Sequence, residues 1–338
     1  MNSDTVLCIT DGGHDPYWNL AAEEYLLKEF SNPVFRLWRN SPSIIIGQNQ
    51  NALAEINIDW VSSSQIPVVR RLTGGGAVFH DLGNVNFTFI SRRLHGEDTY
   101  SMFKRFTRPV IDTLQGIGID ARLEGRNDLT IEGRKFSGNA IAIHKDRVLC
   151  HGCILFDASI GHLSEALKSR PEKFIGKAVS SNRSRVTNIS EHLHSPLEIS
   201  EFISLLKDHA LSDRQAISDA GITEYAFTQA DIEAIDRLAD GKYRLDSWNY
   251  GKSPKYSISR VRKFPSGLVE IYADIDGGKI SSIRIMGDYF FEAPTEELEA
   301  ALSGCPYEKN AVTGILRRTG IARYISGTSP EEIAGMMF

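Results

Sequence analysis

The densest chemical signal is the run Arg70-Arg71-Leu72-Thr73-Gly74-Gly75-Gly76-Ala77-Val78-Phe79-His80-Asp81. Three consecutive glycines let a backbone approach a ligand and turn its N–H groups inward as an anion nest. The two arginines before them can clamp a carboxylate or phosphate in bidentate fashion. Ala77, Val78 and Phe79, immediately after, can wall a flat or greasy group. The same residues equally suit a plain glycine loop between two strands with solvated arginines, and Gly-Gly-Gly alone does not separate the two.

A second cluster is Gly125-Arg126-Asn127-Asp128 with Gly133-Arg134-Lys135-Phe136-Ser137-Gly138-Asn139-Ala140. Lys135 lies on a strand between two glycines, where a lone ammonium can be aimed inward. Asn127 and Asp128 carry the oxygen donors that a hard cation such as Mg²⁺ takes beside a phosphate. An ordinary hairpin with exposed basic residues is the plain alternative. Cys150-His151-Gly152-Cys153 invites a metal or redox reading, but on a strand positions three apart point to opposite faces, so the thiols cannot share a metal. Counting back through the Lys145-Asp146 turn places His151 opposite Ala140. Lys135 has the other parity and reaches the same pocket only if a bulge near Gly138 re-aims the strand. Arg183-Ser184-Arg185-Val186-Thr187-Asn188, following Gly176-Lys177, is either a basic loop closing over a nucleotide or a solvated connection. A P-loop is disfavoured because Ala178 follows Gly176-Lys177, and no G-x-G-x-x-G opens a helix.

The elements that must position these groups follow from periodicity. Helices are expected over Asn19–Phe30, Met102–Leu114 (with Pro109 kinking or shortening it), Leu163–Lys168, Leu197–Leu211 and Asp231–Ala239, the last capped by Thr228. Strands are expected at Val34–Arg39, Ser43–Ile46, Val68–Arg71 and Val85–Ile90. Hairpins are expected to turn at Glu132-Gly133 and Lys145-Asp146. Gly241, Gly251, Ser253 and Pro254 break the pattern, which divides the chain into residues 1–245, a linker at 246–255, and a unit at 256–338. That last unit reads β-β-β-α, from Tyr256–Lys263, Leu268–Ile275, Ile280–Met286 and Pro294–Ser303. Strands and helices mix without regular alternation, so the class is α+β.

The chain has 338 residues, enough for about two domains at roughly 150 residues each. Apolar types at 41% and charged types at 24% argue against large-scale disorder. Thirty-eight basic against forty-three acidic residues give a charge of −5, unlike a general nucleic-acid binder. Any bound anion must therefore be held by a local cluster. No apolar run suits a membrane helix, and Met1-Asn2-Ser3-Asp4 opens no secretory or transit signal. Four cysteines (Cys8, Cys150, Cys153, Cys305) are too few for a disulfide scaffold. The expectation is a reduced, cytoplasmic, enzyme-sized protein.

Taken together, the segments resemble the lipoate–protein ligase A family over nearly the whole chain. The resemblance is carried by Asp15-Pro16-Tyr17-Trp18-Asn19-Leu20-Ala21, Leu37-Trp38-Arg39-Asn40, Arg70 through Asp81, Gly83-Asn84, Gly125 through Leu129, Arg134 through Ala140, His151-Gly152, Arg183 through Asn188 and Asp246 through Pro254. It implies a catalytic domain like those of class II aminoacyl-tRNA synthetases and biotin ligases, a mixed sheet with flanking helices, followed by a small α+β accessory domain.

The activity implied is a two-step ligation. Lipoate and ATP give lipoyl-AMP and pyrophosphate, and a lysine of a lipoyl domain then takes the acyl group. Lys135 would touch both the lipoyl carbonyl and the α-phosphate. Arg71, Gly74, Gly75, Gly76, Ala77, Val78, Phe79, Arg183 and Arg185 would serve ATP. Trp38, Val78, Ala140 and His151 would wall the lipoate pocket, with Arg71 and Lys135 at its polar end, and Asn127 and Asp128 would hold Mg²⁺. The implied acceptors are the E2 subunits of 2-oxoacid dehydrogenases and the glycine cleavage H protein. A monomer binding neither nucleic acid nor membrane is expected. The rival is an octanoyl- or lipoyltransferase working through a cysteine thioester without ATP. One such group carries its cysteine where this chain has Asn127-Asp128-Leu129, and another carries it well downstream of the His-Gly pair, where no cysteine occurs between Cys153 and Cys305. Cys150 and Cys153 match neither position.

Overall fold

In Asn84-Val85-Asn86-Phe87-Thr88-Phe89 every second residue is apolar, so one strand offers two chemically different faces. That division organises the molecule. The computed structural model describes residues 5–167, 186–212, 221–250, 258–276 and 278–338. Its strands are β1 (Val6–Thr10), β2 (Val34–Trp38), β3 (Ser43–Ile46), β4 (Val68–Arg70), β5 (Val78–His80), β6 (Asn84–Arg92), β7 (Ala121–Glu124), β8 (Asp128–Ile131), β9 (Arg134–His144), β10 (Arg147–Leu155), β11 (Ile222–Glu224), β12 (Ile258–Phe264), β13 (Gly267–Asp276) and β14 (Lys279–Gly287). Its helices are α1 (Pro16–Glu29), α2 (Ala52–Glu55), α3 (Ile58–Ser64), α4 (Thr99–Gly116), α5 (Ile160–Ala166), α6 (Ile199–Ser212), α7 (Gln229–Leu238), α8 (Asp246–Asn249), α9 (Thr295–Leu302), α10 (Lys309–Thr319) and α11 (Pro330–Met337).

The main sheet has the order β11-β1-β2-β6-β10-β9-β8-β7, parallel at β11-β1-β2 and antiparallel from β2 onward. Its apolar face, with Phe35, Val85, Phe87, Phe89, Val148 and Cys150, packs on Phe103, Phe106 and Val110 of α4 and Phe202 of α6. Its other face meets α1 through Leu26, Leu27, Val34, Ile90 and Leu149. Beyond Leu20 and Trp38 that second face becomes polar and opens. Pro109 neither ends nor shortens α4, which runs on to Gly116.

A small sheet, β4-β3-β5, carries the glycine run between β4 and β5 and is backed by Ala52, Val61 and Ala166. A third sheet, β12-β13-β14, is covered by α9, α10 and α11 around Leu298, Leu316 and Ile333. The unit expected as β-β-β-α thus has two further helices, α10 and α11. The end of β14 and the segment after it press on the first part of the chain. Gly287 N donates to Asn49 O at 2.8 Å, and Phe290 packs against Phe103 with ring centroids 5.3 Å apart. No helix among the described residues is long and apolar enough to cross a membrane.

Candidate active site

Across the polar face, hydrogen-bond register lines up Trp38 (β2), Asn86 (β6), Cys153 (β10), Gly138 (β9) and Asp128 (β8) in one transverse row. His151 and Ala140 stand side by side in the next row on the same face, the register expected from the Lys145-Asp146 turn. A cavity of about 130 Å³ lies over these rows, lined by Trp38, Asn86, Ala140, His151 and Cys153, with Lys135 and Asn127 on one side and Arg71, Gly75, Gly76, Ala77 and Val78 above. A second, more open cavity of about 580 Å³ continues from it, sharing Ala77, Val78, Lys135, Gly138 and Cys153 and adding Phe79 and Asp128. From Trp38 to Gly138 is three strand spacings, about 14 Å at roughly 4.8 Å each.

Lys135 reaches this face through a bulge. Leu129 pairs with Ser137 and Thr130 with Lys135, leaving Phe136 as the extra residue, buried against the core. The bulge lies two residues before Gly138 and reverses the parity that would have sent Lys135 away from His151. Gly138 completes the fit, because a Cβ there would sit 2.7 Å from Lys135 Nζ. Lys135 Nζ pairs with Asp128 Oδ1 at 2.7 Å. Beside them Asn127 and Asn139 are locked reciprocally: Asn127 Nδ2 donates to Asn139 O at 2.6 Å, and Asn139 Nδ2 donates to Asn127 O at 2.9 Å.

The two arginines of the glycine run have different fates. Arg70, open on sequence grounds to clamping an anion or to solvation, does neither. Its guanidinium is wholly buried and donates to the carbonyls of Gly47, Gln48, Gln50, Trp248 and Asn249. Arg71 does line the cavity, and its Nη2 donates to Gly74 O at 2.7 Å and Gly76 O at 2.8 Å. In a trans peptide the N–H points opposite to the C=O, so this grip turns the amides of Gly75 and Ala77 away from Arg71. No residue among those described accepts a hydrogen bond from the Gly74, Gly75 or Gly76 amides. Burial lowers the Arg71 pKa to about 10, which leaves it charged at neutral pH. Gly74 does not line the cavity and lies against the Tyr289 backbone, where a Cβ on Gly74 would sit 2.3 Å from Tyr289 O. Phe79 is buried, with its ring 6.0 Å from that of Trp60. Arg183 and Arg185 lie outside the described residues.

A polar chain runs beneath the cavity. Arg71 Nε donates to Thr73 Oγ1 at 2.8 Å, and the same hydroxyl stands 2.8 Å from His151 Nε2. His151 Nδ1 donates to Glu23 Oε2 at 2.9 Å. Thr88 Oγ1 donates to Glu23 Oε1 at 2.6 Å and accepts from Trp38 Nε1 at 2.8 Å. Trp38 therefore presents only ring surface to the cavity. The Cys150 thiol is driven up by burial on the core face, and Cys153, on the cavity face, is pushed up to about 12, by burial first and Asp81 second. Among the described residues no cluster of three or more His, Cys, Asp or Glu suits a metal ion.

The family description "lipoyl protein ligase A/B catalytic domain" fits residues 15–211, and "bacterial lipoate protein ligase C-terminus" fits residues 253–337. The chain belongs to the lipoate–protein ligase family. It is 39% identical over 328 residues to the lipoate-protein ligase LplJ of Bacillus subtilis, covering 96% of this chain and 97% of that one. The crystal structure of P. falciparum LipL1 in complex with lipoate matches with a TM-score of 0.76 at 27% identity, covering 93% of this chain and 94% of the other. A lipoate-protein ligase A bound with ATP matches with a TM-score of 0.63 at 28% identity, over 74% of this chain and 99% of that one.

Set against the family resemblance, the cavity gathers Trp38, Arg71, Gly75, Gly76, Ala77, Val78, Asn127, Lys135, Ala140 and His151. His80, Asn86 and Asn139, to which the sequence alone assigns no role, also line it, and the Glu23 network lies beneath it. The alternation in β6 puts Asn86 on the face of Thr88, and that signal was present. Nothing local marks Glu23 as a partner of a histidine 128 positions away.

Proposed function

We propose that the chain adenylates lipoate in this cavity and passes the lipoyl group to a lysine of an acceptor lipoyl domain. The observation that supports the reading is that Lys135 and Gly75–Ala77 line one cavity, which also takes in the ring of Trp38 three strands away from Gly138. In the first step a lipoate oxygen attacks the α-phosphorus, a C–O–P bond forms, the bond to the β-phosphate breaks, and pyrophosphate leaves. Two unit charges about 4 Å apart repel by about 4 kcal/mol at an effective dielectric near 20. The Lys135 ammonium and the outward amides of the glycine turn oppose this, and more strongly as charge builds on the phosphoryl oxygens. Arg71 acts from below, fixing the carbonyls of the turn so that its amides face the anion. In the second step the neutral acceptor amine attacks the carbonyl, the acyl C–O bond breaks so that AMP leaves with its bonding pair, and the amine gives up one proton as the amide forms. No side chain of this chain acts as a nucleophile.

The oxygen donors present fit a hard cation held partly by substrate phosphates. Asn127, with its Nδ2 engaged by Asn139 O, keeps Oδ1 as an acceptor, and Asp128 supplies a carboxylate. These two would hold Mg²⁺, whose chemistry there is to neutralise phosphate charge. On this reading residues 1–245 form the catalytic unit and 256–338 the accessory unit. The connection at 246–255 begins at α8, where Trp248 Nε1 donates to Arg70 O at 2.9 Å. The acceptors are E2 lipoyl domains and the glycine cleavage H protein, and the protein works as a cytoplasmic monomer.

The test is intact-mass analysis of an apo lipoyl domain incubated with the protein and lipoate. With ATP the acceptor should gain one lipoyl group, and without ATP it should stay unmodified. Modification without ATP when an octanoyl- or lipoyl-carrier protein replaces free lipoate, passing through an acyl adduct on this chain and releasing the free carrier thiol or amine, would instead establish the transferase reading.

A further inference from the structure

Resting on the ligase reading, one feature of the channel goes beyond it. At the Trp38 end two buried side chains carry nitrogen atoms with no partner, His80 Nε2 and Asn86 Nδ2, and both residues line the cavity. His80 is 4% exposed and Asn86 1%. The state of His80 follows from its neighbours. Asn19 Nδ2 donates to Asn40 Oδ1 at 2.9 Å, which turns the Asn40 amide NH2 toward His80 Nδ1 at 3.1 Å. Nδ1 therefore accepts, and the ring proton sits on Nε2, where it meets nothing. Burial, with Arg71 and His151 nearby, holds the imidazole pKa down to about 3, so the ring remains a neutral donor.

Their position in the sheet gives these donors a task. Asn86 is beside Trp38 in the transverse row, two strands from Gly138 and the Lys135 ammonium. A carboxylate held at Lys135 therefore sends its tail, not its head, to His80 and Asn86. The nearby polar groups are already engaged: Trp38 Nε1 by Thr88, and His151 by Glu23 and Thr73. A purely hydrocarbon tail would leave both N–H groups buried and unsatisfied, which costs free energy. A tail bearing sulfur offers weak acceptors at that depth.

We propose that His80 and Asn86 set the acyl specificity of the site, their unpaired N–H groups selecting the sulfur-bearing ring of lipoate over a plain aliphatic chain of the same length.

The test compares kcat/KM for pyrophosphate release with three acids: lipoate, octanoate, and cyclopentyl-pentanoate, the all-carbon ring isostere of lipoate. The wild-type protein should use lipoate at least about fivefold better than the isostere, as expected for neutral hydrogen bonds gained or lost. In Asn86→Leu and His80→Phe that preference should collapse toward unity. The isostere arm on the wild-type protein decides the matter even where a variant folds poorly. Equal efficiency for lipoate and the isostere, with pyrophosphate still released, overturns the specificity assignment and leaves the ligase reading standing. Absence of pyrophosphate release with every acid overturns both.

Discussion

Lys135 Nζ and Asp128 Oδ1 form an ion pair of 2.7 Å at the polar end of the channel, with each side chain more than a third exposed. The ammonium is thus held at the cavity by a partner that solvent screens, and an incoming carboxylate and phosphate can displace that partner at small cost. Gly138 provides the room for this exchange. Replacing it with Ala puts a methyl carbon 2.7 Å from Nζ, too close for the ammonium to stay in place, while its backbone conformation does not require glycine. Gly138→Ala is expected to keep the melting temperature within a few degrees and, if Lys135 acts as proposed, to lower the rate of adenylation at least about tenfold by displacing its ammonium. Steady-state pyrophosphate release measures this, and an unchanged kcat would refute the packing argument.

Thr73 joins Arg71 to His151 through a single hydroxyl, within hydrogen-bond distance of both. Thr73→Val keeps the shape and strands two buried groups. Unfolding in denaturant should show a loss of about 1–3 kcal/mol. A double-mutant cycle with His151→Phe should give a coupling of at least about 0.5 kcal/mol, whereas simple additivity would mean the chain of bonds carries no joint energy.

The thiols give a third prediction. Cys150 and Cys153 are both raised by burial, Cys153 to about 12, so neither supplies a thiolate near neutral pH. A Cys150→Ala, Cys153→Ser protein should retain ATP-dependent lipoylation within a few fold. Intact mass after incubation with an acyl donor should show no adduct on the wild-type chain.

His80 predicts a pH dependence of stability. Its folded pKa, near 3, lies below the ordinary 6.5 because of burial first and the charges of Arg71 and His151 second. The unfolded chain therefore binds a proton below pH 6.5 that the folded chain refuses until near pH 3. The stability from this group is whole above 6.5 and falls as pH drops, by at most about 1.4 kcal/mol per unit. Denaturant curves at pH 7 and pH 5 should show a shallower fall for His80→Gln than for the parent, and parallel slopes would refute the assignment.

Much of this was legible because strand chemistry is local. The β6 alternation and the Lys145-Asp146 turn fix which residues face the cavity, and the pairing of His151 with Ala140 follows from counting. The bulge that turns Lys135 inward could be named only as a condition, because it depends on Phe136 finding the core rather than on any turn residue. The burial of Arg70 is illegible in the sequence for the same kind of reason. Its five carbonyl partners come from a loop 20 to 23 positions earlier and from α8, and adjacency to Arg71 gives no hint of them. The contact of Tyr289 O with Gly74 is likewise a docking of two units, with no signature in either segment. Helices α10 and α11 carry buried apolar positions at Val312, Leu316 and Ile333, a periodic signal that is present in the sequence.

The central claim is that Lys135, beside the glycine turn, enables lipoate to be adenylated, and lipoate-dependent ATP–pyrophosphate exchange measures that step alone. The account predicts exchange by the parent chain that requires both lipoate and ATP, and a loss of at least about a hundredfold in Lys135→Ala with the fold intact. Exchange at the parental rate in Lys135→Ala would contradict it.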